Sequence, residues 1–107
     1  MPYKLYTLDN QFIKETDDYP INFTGIIVYV SGTKSWFVDG KCHRLDGPAS
    51  EYANGSKSWF VNGKYHRIDG PAYEDSVGGK RWFVNNKEIT EEQCKLLHSV
   101  MKLKNLI

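Results

Sequence analysis

The sequence predicts a mainly β fold: an elongated, twisted antiparallel β-meander of short repeats, closed by one C-terminal α-helix. Three observations predict it. A 23-residue unit recurs without gaps, as its tryptophans at Trp36, Trp59 and Trp82 show. Each unit sets a Trp-Phe-Val run directly before Asp-Gly, Asn-Gly or Asn-Asn, so a strand composition runs into tight-turn residues. Residues 90–107 then abandon that pattern for helical spacing.

Taken in chain order, Tyr6-Thr7-Leu8-Asp9-Asn10-Gln11-Phe12 reads as a worn hairpin of the same sort as those that follow. The acidic stretch Glu15-Thr16-Asp17-Asp18-Tyr19-Pro20 reads as a loop leading into the repeats. The chain is expected to be a single domain over 1–107, with the hairpin and acidic loop in 1–21, the repeats in 22–89 and the helix in 90–107. Ser35 through Ala49 recurs almost letter for letter as Ser58 through Ala72, and a third start follows at Arg81-Trp82-Phe83-Val84. Val28 to Lys34 is a degenerate forerunner of Glu51 to Lys57, and Glu74 to Lys80 is its later counterpart.

Within a unit, Trp-Phe-Val is the first strand, Asx-Gly a type I′ turn and Lys-x-His-Arg the return strand. Asp-Gly-Pro makes a second reversal, where glycine supplies a permissive backbone and proline opens a strand. Ala-x-Glu-Tyr is the third strand, and Asn54-Gly55 closes the next turn. With Asp39-Gly40 as a two-residue loop, Val38 faces Lys41, Phe37 faces Cys42 and Trp36 faces His43. Alternation then puts Trp36, Val38 and His43 on one side. Trp59, Val61 and His66 follow suit, joined by Tyr52 and Lys57 across the Asn54-Gly55 turn. The tryptophans are expected to form a spine on this face, and Phe37, Phe60 and Phe83 to lie on the other. At the C-terminus, Thr90-Glu91-Glu92-Gln93 has the form of a capping box, and Cys94, Leu96, Leu97, Val100, Met101, Leu103 and Ile107 make a broad apolar stripe. That helix is expected to cap the last unit; the alternative is that it dimerises or docks on a partner.

Composition narrows the function classes. Net charge is +1 with acids and bases intermixed, which argues against a dedicated polyanion or membrane surface, since phosphate binding needs clustered positive charge. Lys34, Lys57 and Lys80, and again Lys41, Lys64 and Lys87, do recur at the repeat period and could track a polyanion. Glu51, Glu74, Asp75, Glu91 and Glu92 offset them. Cys42 and Cys94 have no paired spacing and read as reduced. Without an apolar leader or membrane-length stretch, the expectation is a soluble protein of the cytoplasm.

The string Trp-x-x-Asn-Gly-Lys-x-His, followed by a second turn and Tyr-x-Asn-Gly, resembles the MORN repeat, also a 23-residue β-hairpin unit. The fuller string Trp-Phe-Val-Asn-Gly-Lys-x-His-Arg-x-Asp-Gly-Pro-Ala is similar to a MORN-related variant of phage, bacterial and large-virus proteins. The match covers roughly residues 22–89. Where the usual repeat has His-Gly-x-Gly this chain has His-Arg-x-Asp-Gly-Pro, so lipid-binding roles proposed for MORN proteins are not carried over. The resemblance implies assembly and protein interaction more than chemistry. By analogy it points to a phage-type accessory protein acting on a host defence factor, as an anti-CRISPR inhibitor does, in the host cytosol.

The tempting chemical site is His43-Arg44-x-Asp46, repeated as His66-Arg67-x-Asp69: an acid–base pair beside an anion-holding arginine. A catalytic centre is needed only once, and the third unit replaces histidine with Ile89 and arginine with Thr90. The string therefore reads as packing and turn formation, with Asp46 and Asp69 bonding their own backbone. Cys42 and His43 are adjacent and point to opposite faces, poor geometry for a metal. The expectation is a non-enzymatic protein-binding module with no catalytic, cofactor or metal residues. Its partner is a host protein or a second copy, the copy meeting it through the helix or a sheet edge. Candidate partner-binding residues are Arg44, Tyr65 and Arg67, as aromatic and arginine anchors, and the exposed acids Asp17 and Asp18. The alternative is a nucleic-acid-binding or membrane-surface-associated scaffold.

Overall fold

A computed structural model describes residues 2–107. It is an antiparallel, mainly β structure extending 45 × 31 × 20 Å, with one helix at its end. The strands are β1 (Tyr3–Tyr6), β2 (Phe12–Thr16), β3 (Gly25–Val28), β4 (Lys34–Val38), β5 (Lys41–Cys42), β6 (Ser50–Glu51) and β7 (Lys57–Ser58). They continue as β8 (Phe60–Val61), β9 (Lys64–Tyr65), β10 (Tyr73–Glu74), β11 (Lys80–Val84) and β12 (Lys87–Ile89), followed by α1 (Glu91–Leu103). Ten strands form one sheet in the order β12-β11-β10-β7-β6-β4-β3-β1-β2, with β5 branching from β4, while β8 and β9 form a separate ribbon.

The branch at β5 sets the shape of a unit. The first half of β4 pairs with β6 (Lys34↔Glu51, Ser35↔Ser50), and its second half pairs with β5 (Phe37↔Cys42, Val38↔Lys41). The return strand thus swings out of the main ladder instead of lying between the first and third strands. What holds it there is the next unit: the Arg44 amide donates to the Phe60 carbonyl at 3.1 Å, and the Gly63 amide donates to the Cys42 carbonyl at 2.9 Å. The same pair of bonds recurs one unit on, from Arg67 to Phe83 (3.1 Å) and from Asn86 to Tyr65 (2.9 Å).

Two turn chemistries alternate. Asp39-Gly40, Asn62-Gly63 and Asn85-Asn86 all have positive φ at both positions, as a type I′ hairpin requires. At the other end of the strands, Asn54-Gly55 is not the two-residue loop expected. Tyr52 N–H donates to the Ser56 carbonyl and Gly55 N–H to the Tyr52 carbonyl, so Ala53-Asn54-Gly55 is a three-residue loop closed by Gly55 at φ +93°. The extra residue shifts the register by one and moves Tyr52 to the opposite face. There its hydroxyl accepts from Ser58 Oγ at 3.2 Å. The same bonding closes Thr7–Gln11, Tyr29–Thr33 and Asp75–Gly79, which makes the N-terminal hairpin a member of the series.

The core sits on the phenylalanine side near the N-terminus, where Leu5, Ile27 and Phe37 are buried against Tyr3, Phe23, Tyr29 and Cys42. Glu15 and Thr16, expected in a loop, belong to β2, and the chain then crosses β1 to reach β3, laying Tyr19 edge-on against Tyr3 at 5.6 Å. Further along, Tyr65 stacks between Phe60 (4.3 Å) and Phe83 (4.9 Å), so the continuous aromatic column is on this side. Replacing Gly55 by alanine should cost about 1 kcal/mol in a denaturant melt. Its Cβ would meet Ser76 only at an ordinary 3.7 Å, so the cost is the left-handed backbone and Gly55→Asn should lose less.

Candidate functional site

The tryptophan face carries a row of three concavities, one per unit. The first, about 430 Å³, is lined by Trp36, Val38, His43 and the Arg44-Leu45-Asp46 ridge, with Leu8 and Asn10 of the N-terminal hairpin. The second, about 620 Å³, has Trp59, Val61 and His66 in the matching places and is bounded by the Arg44–Pro48 segment on one side and Arg67-Ile68-Asp69 on the other. The third, about 200 Å³, lies at Trp82 under α1. Trp36, Val38 and His43 do share a side, as alternation predicts, and the second unit reproduces the arrangement.

In the first two units the tryptophan is covered by the arginine of its own unit, and Lys34 Nζ also lies 4.9 Å from the Trp36 ring centroid. The Arg44 guanidinium lies 3.9 Å from the Trp36 ring centroid and Arg67 lies 4.0 Å from Trp59. Arg44 Nε donates to Asp46 Oδ1 at 3.0 Å and Nη1 to the Pro48 carbonyl at 3.1 Å, with Glu51 at 3.5 Å. Arg67 repeats this with Asp69 (2.9 Å), Pro71 (3.0 Å) and Glu74 (3.5 Å). The carboxylates of Asp46 and Asp69 thus serve the arginine two residues back, where bonds to their own backbone were expected. Gly47 and Gly70 differ from expectation too. They have no positive φ, and a Cβ there would come within 2.9 Å and 2.7 Å of the guanidinium carbon, so any larger residue would push the arginine from its place over the tryptophan.

The histidines have a structural task. His43 Nδ1 accepts from the Asn62 amide at 3.0 Å and His66 Nδ1 from the Asn85 amide at 3.2 Å. Each ties its return strand to the next unit's turn, which fixes the acceptor tautomer. In the third unit Ile89 faces Trp82 with no such acceptor, and α1 takes the place of the arginine loop. The capping box is complete, Cys94 is buried, and its thiol donates to the Ile68 carbonyl at 3.4 Å. Leu96, Val100 and Leu103 remain exposed on the helix. Burial pushes the Cys42 and Cys94 thiols up, and both are free.

Of the candidate partner-binding residues, Arg44 and Arg67 line the concavities but are committed to tryptophan and carboxylate. Tyr65 is held in the phenylalanine column, its amide donating to Asn86 Oδ1 at 2.8 Å. Asp17 and Asp18 are exposed beyond β2 and are not among the residues lining the three concavities. Sequence reasoning passed over Leu45 and Ile68, the variable residue of His-Arg-x-Asp. Leu45 is 80% exposed on the ridge shared by two concavities. The available signal was that an apolar residue recurs at a turn position that favours polar ones.

The lysine row that might have followed a polyanion is interleaved with acids: Lys34 faces Glu51, Glu51 faces Lys57, Lys57 faces Glu74 and Glu74 faces Lys80. Among the described residues no group of three or more His, Cys, Asp or Glu side chains is placed to hold a metal ion, and no helix is long and apolar enough to cross a membrane. Comparison with known protein families, with curated proteins and with solved structures finds no match for this chain.

Two outcomes follow. His43→Ala and His66→Ala should each lower stability by about 1 kcal/mol in urea melts, the worth of one lost hydrogen bond. At the far end, Arg81 holds the Glu88 carboxyl below the usual carboxylate range through two bonds of 2.9 Å. A lowered folded-state value means stability that is present at neutral pH and lost as pH falls through that value. The difference in Tm between the chain and Glu88→Gln should therefore close on acidification below about pH 4.

Proposed function

We propose that the chain is a non-enzymatic, MORN-like repeat module that binds a partner protein through the concavities of its tryptophan face. The observation that carries this is repetition: the same Trp, Val, His, Arg and apolar ridge residue line the first and second concavities. The groups that might have done chemistry there are occupied, histidine with a turn amide and aspartate with arginine. An exposed leucine between neutral, aromatic-floored hollows is a surface that gains by excluding water. The alternating lysine–glutamate ladder weighs against a nucleic-acid or anionic-membrane target. The resemblance to phage-type variants of the repeat extends the proposal to an accessory protein that occupies a host protein.

The test is capture of a stoichiometric partner on the immobilised chain, compared with Leu45→Glu. Leu45 is exposed, so the substitution should leave the melting curve in place while reducing retained partner at least about tenfold, the effect of losing roughly 1.4 kcal/mol. Retention unchanged by Leu45→Glu would remove this face from consideration.

A further inference from the structure

We infer that the row of concavities takes an extended, polyproline-II-like segment of the partner, with an apolar side chain at every third position and basic side chains between. This rests on the protein-binding reading above and names the shape and charge of what is bound.

Spacing comes first. From β4 to β7, and from β7 to β11, the ladder advances by two strands, through β6 and β10. Two strand spacings amount to about 9.6 Å. Three residues of polyproline II cover about 9.3 Å and complete one turn, so every third side chain returns to the same side. A β-strand ligand covers nearly the same distance in three residues, but its third side chain points away. An α-helix brings a side chain back to the same side at every seventh residue, a rise of about 10.5 Å, and so drifts out of step with the hollows by about 0.9 Å per unit.

The floor and the rim agree with that spacing. Trp36 with Val38, and Trp59 with Val61, give consecutive hollows an aromatic and aliphatic floor, the kind of groove in which polyproline-II segments dock. Charge complementarity supplies the residues between. The guanidinium side chains of Arg44 and Arg67 are only 23% and 22% exposed and are already paired. Asp46 and Asp69, on the ridges between hollows, are 86% and 64% exposed. Each spends one carboxylate oxygen on its arginine. At the two ridges the exposed charge is therefore the carboxylate, and a lysine or arginine passing over each would meet it, while Lys34 Nζ lies 4.9 Å from the Trp36 ring centroid in the first unit.

The probe is a blocked synthetic peptide of four Leu-Lys-Pro repeats, titrated against the full chain by tryptophan fluorescence and calorimetry. Saturable one-to-one binding is expected. It should weaken at least about tenfold for Leu-Lys-Pro-Pro repeats, for Leu-Glu-Pro repeats and in Leu45→Lys, each a loss of roughly 1.4 kcal/mol or more. Equal binding of either control peptide, or no saturable binding at all, would overturn the inference. So would saturable, Leu45→Lys-sensitive binding of a labelled single-stranded oligonucleotide to the chain in the absence of peptide, which would point to a polyanion. If the peptides fail while partner capture stays sensitive to Leu45→Glu, the segment's form is wrong and the protein-binding reading stands. If capture is also insensitive, both fall.

Discussion

Every type I′ turn in this chain exposes two backbone amides that its own hairpin cannot use, and the segment before it accepts both. Asn62 and Gly63 donate to His43 Nδ1 and the Cys42 carbonyl, and Asn85 and Asn86 donate to His66 Nδ1 and the Tyr65 carbonyl. The first turn obeys the same rule with different residues: Asp39 donates to Thr24 Oγ1 at 2.9 Å and Gly40 to the Phe23 carbonyl at 2.9 Å. The turns are exposed, so each bond is worth what an ordinary hydrogen bond is worth, and its weight here is directional: the pair fixes how one unit sits on the next. The outward swing of β5 and β9, and hence the hollows of the tryptophan face, depend on it.

Once the return strand has left the ladder, something must cover the tryptophan it exposes. Arginine does this because a planar guanidinium can stack on an indole while its edge still donates to carboxylate and carbonyl. The Asp-Gly-Pro sequence supplies a carboxylate for Nε, a missing Cβ beneath the guanidinium carbon and a carbonyl for Nη1. The side chains therefore interlock in the order turn, histidine, arginine, tryptophan. The residue left over is the one between arginine and aspartate, whose side chain has no structural partner to satisfy. Leu45 stands at that position and is 80% exposed, whereas the arginine beside it is committed within its own unit.

Much of this was legible in the sequence and some of it could not be. The 23-residue period, the type I′ turns, the pairing of Trp36 with His43, the break at Ile89 and the capping box at Thr90 all follow from local chemistry and appear in the structure. The turn at Asn54-Gly55 was misjudged because a two-residue I′ loop and a three-residue loop with a closing left-handed glycine use the same letters; only the partner of Tyr52 separates them. The branch of β4 was invisible for another reason. It is decided by bonds to the following unit, and a unit read in isolation contains no sign of them.

The third unit shows how the array ends. In the earlier junctions the amide at the arginine position donates to the following phenylalanine carbonyl, and the histidine accepts the following turn amide. At the last position both are withdrawn at once. Thr90 replaces the arginine and its amide donates instead to Gln93 Oε1 at 2.9 Å, inside the capping box, while Ile89 offers no acceptor at all. The helix that this box starts then seals the open side with Cys94 beneath the Ile68 carbonyl. A histidine at Ile89 would leave an unanswered acceptor at the sheet's end, an invitation to another copy's turn. Ile89 and Thr90 are thus not decay of the repeat motif. They are what the motif becomes where a helix follows directly, and the same logic assigns Phe23 and Thr24 to the first turn, where a carbonyl and a hydroxyl do what cysteine and histidine do for the second.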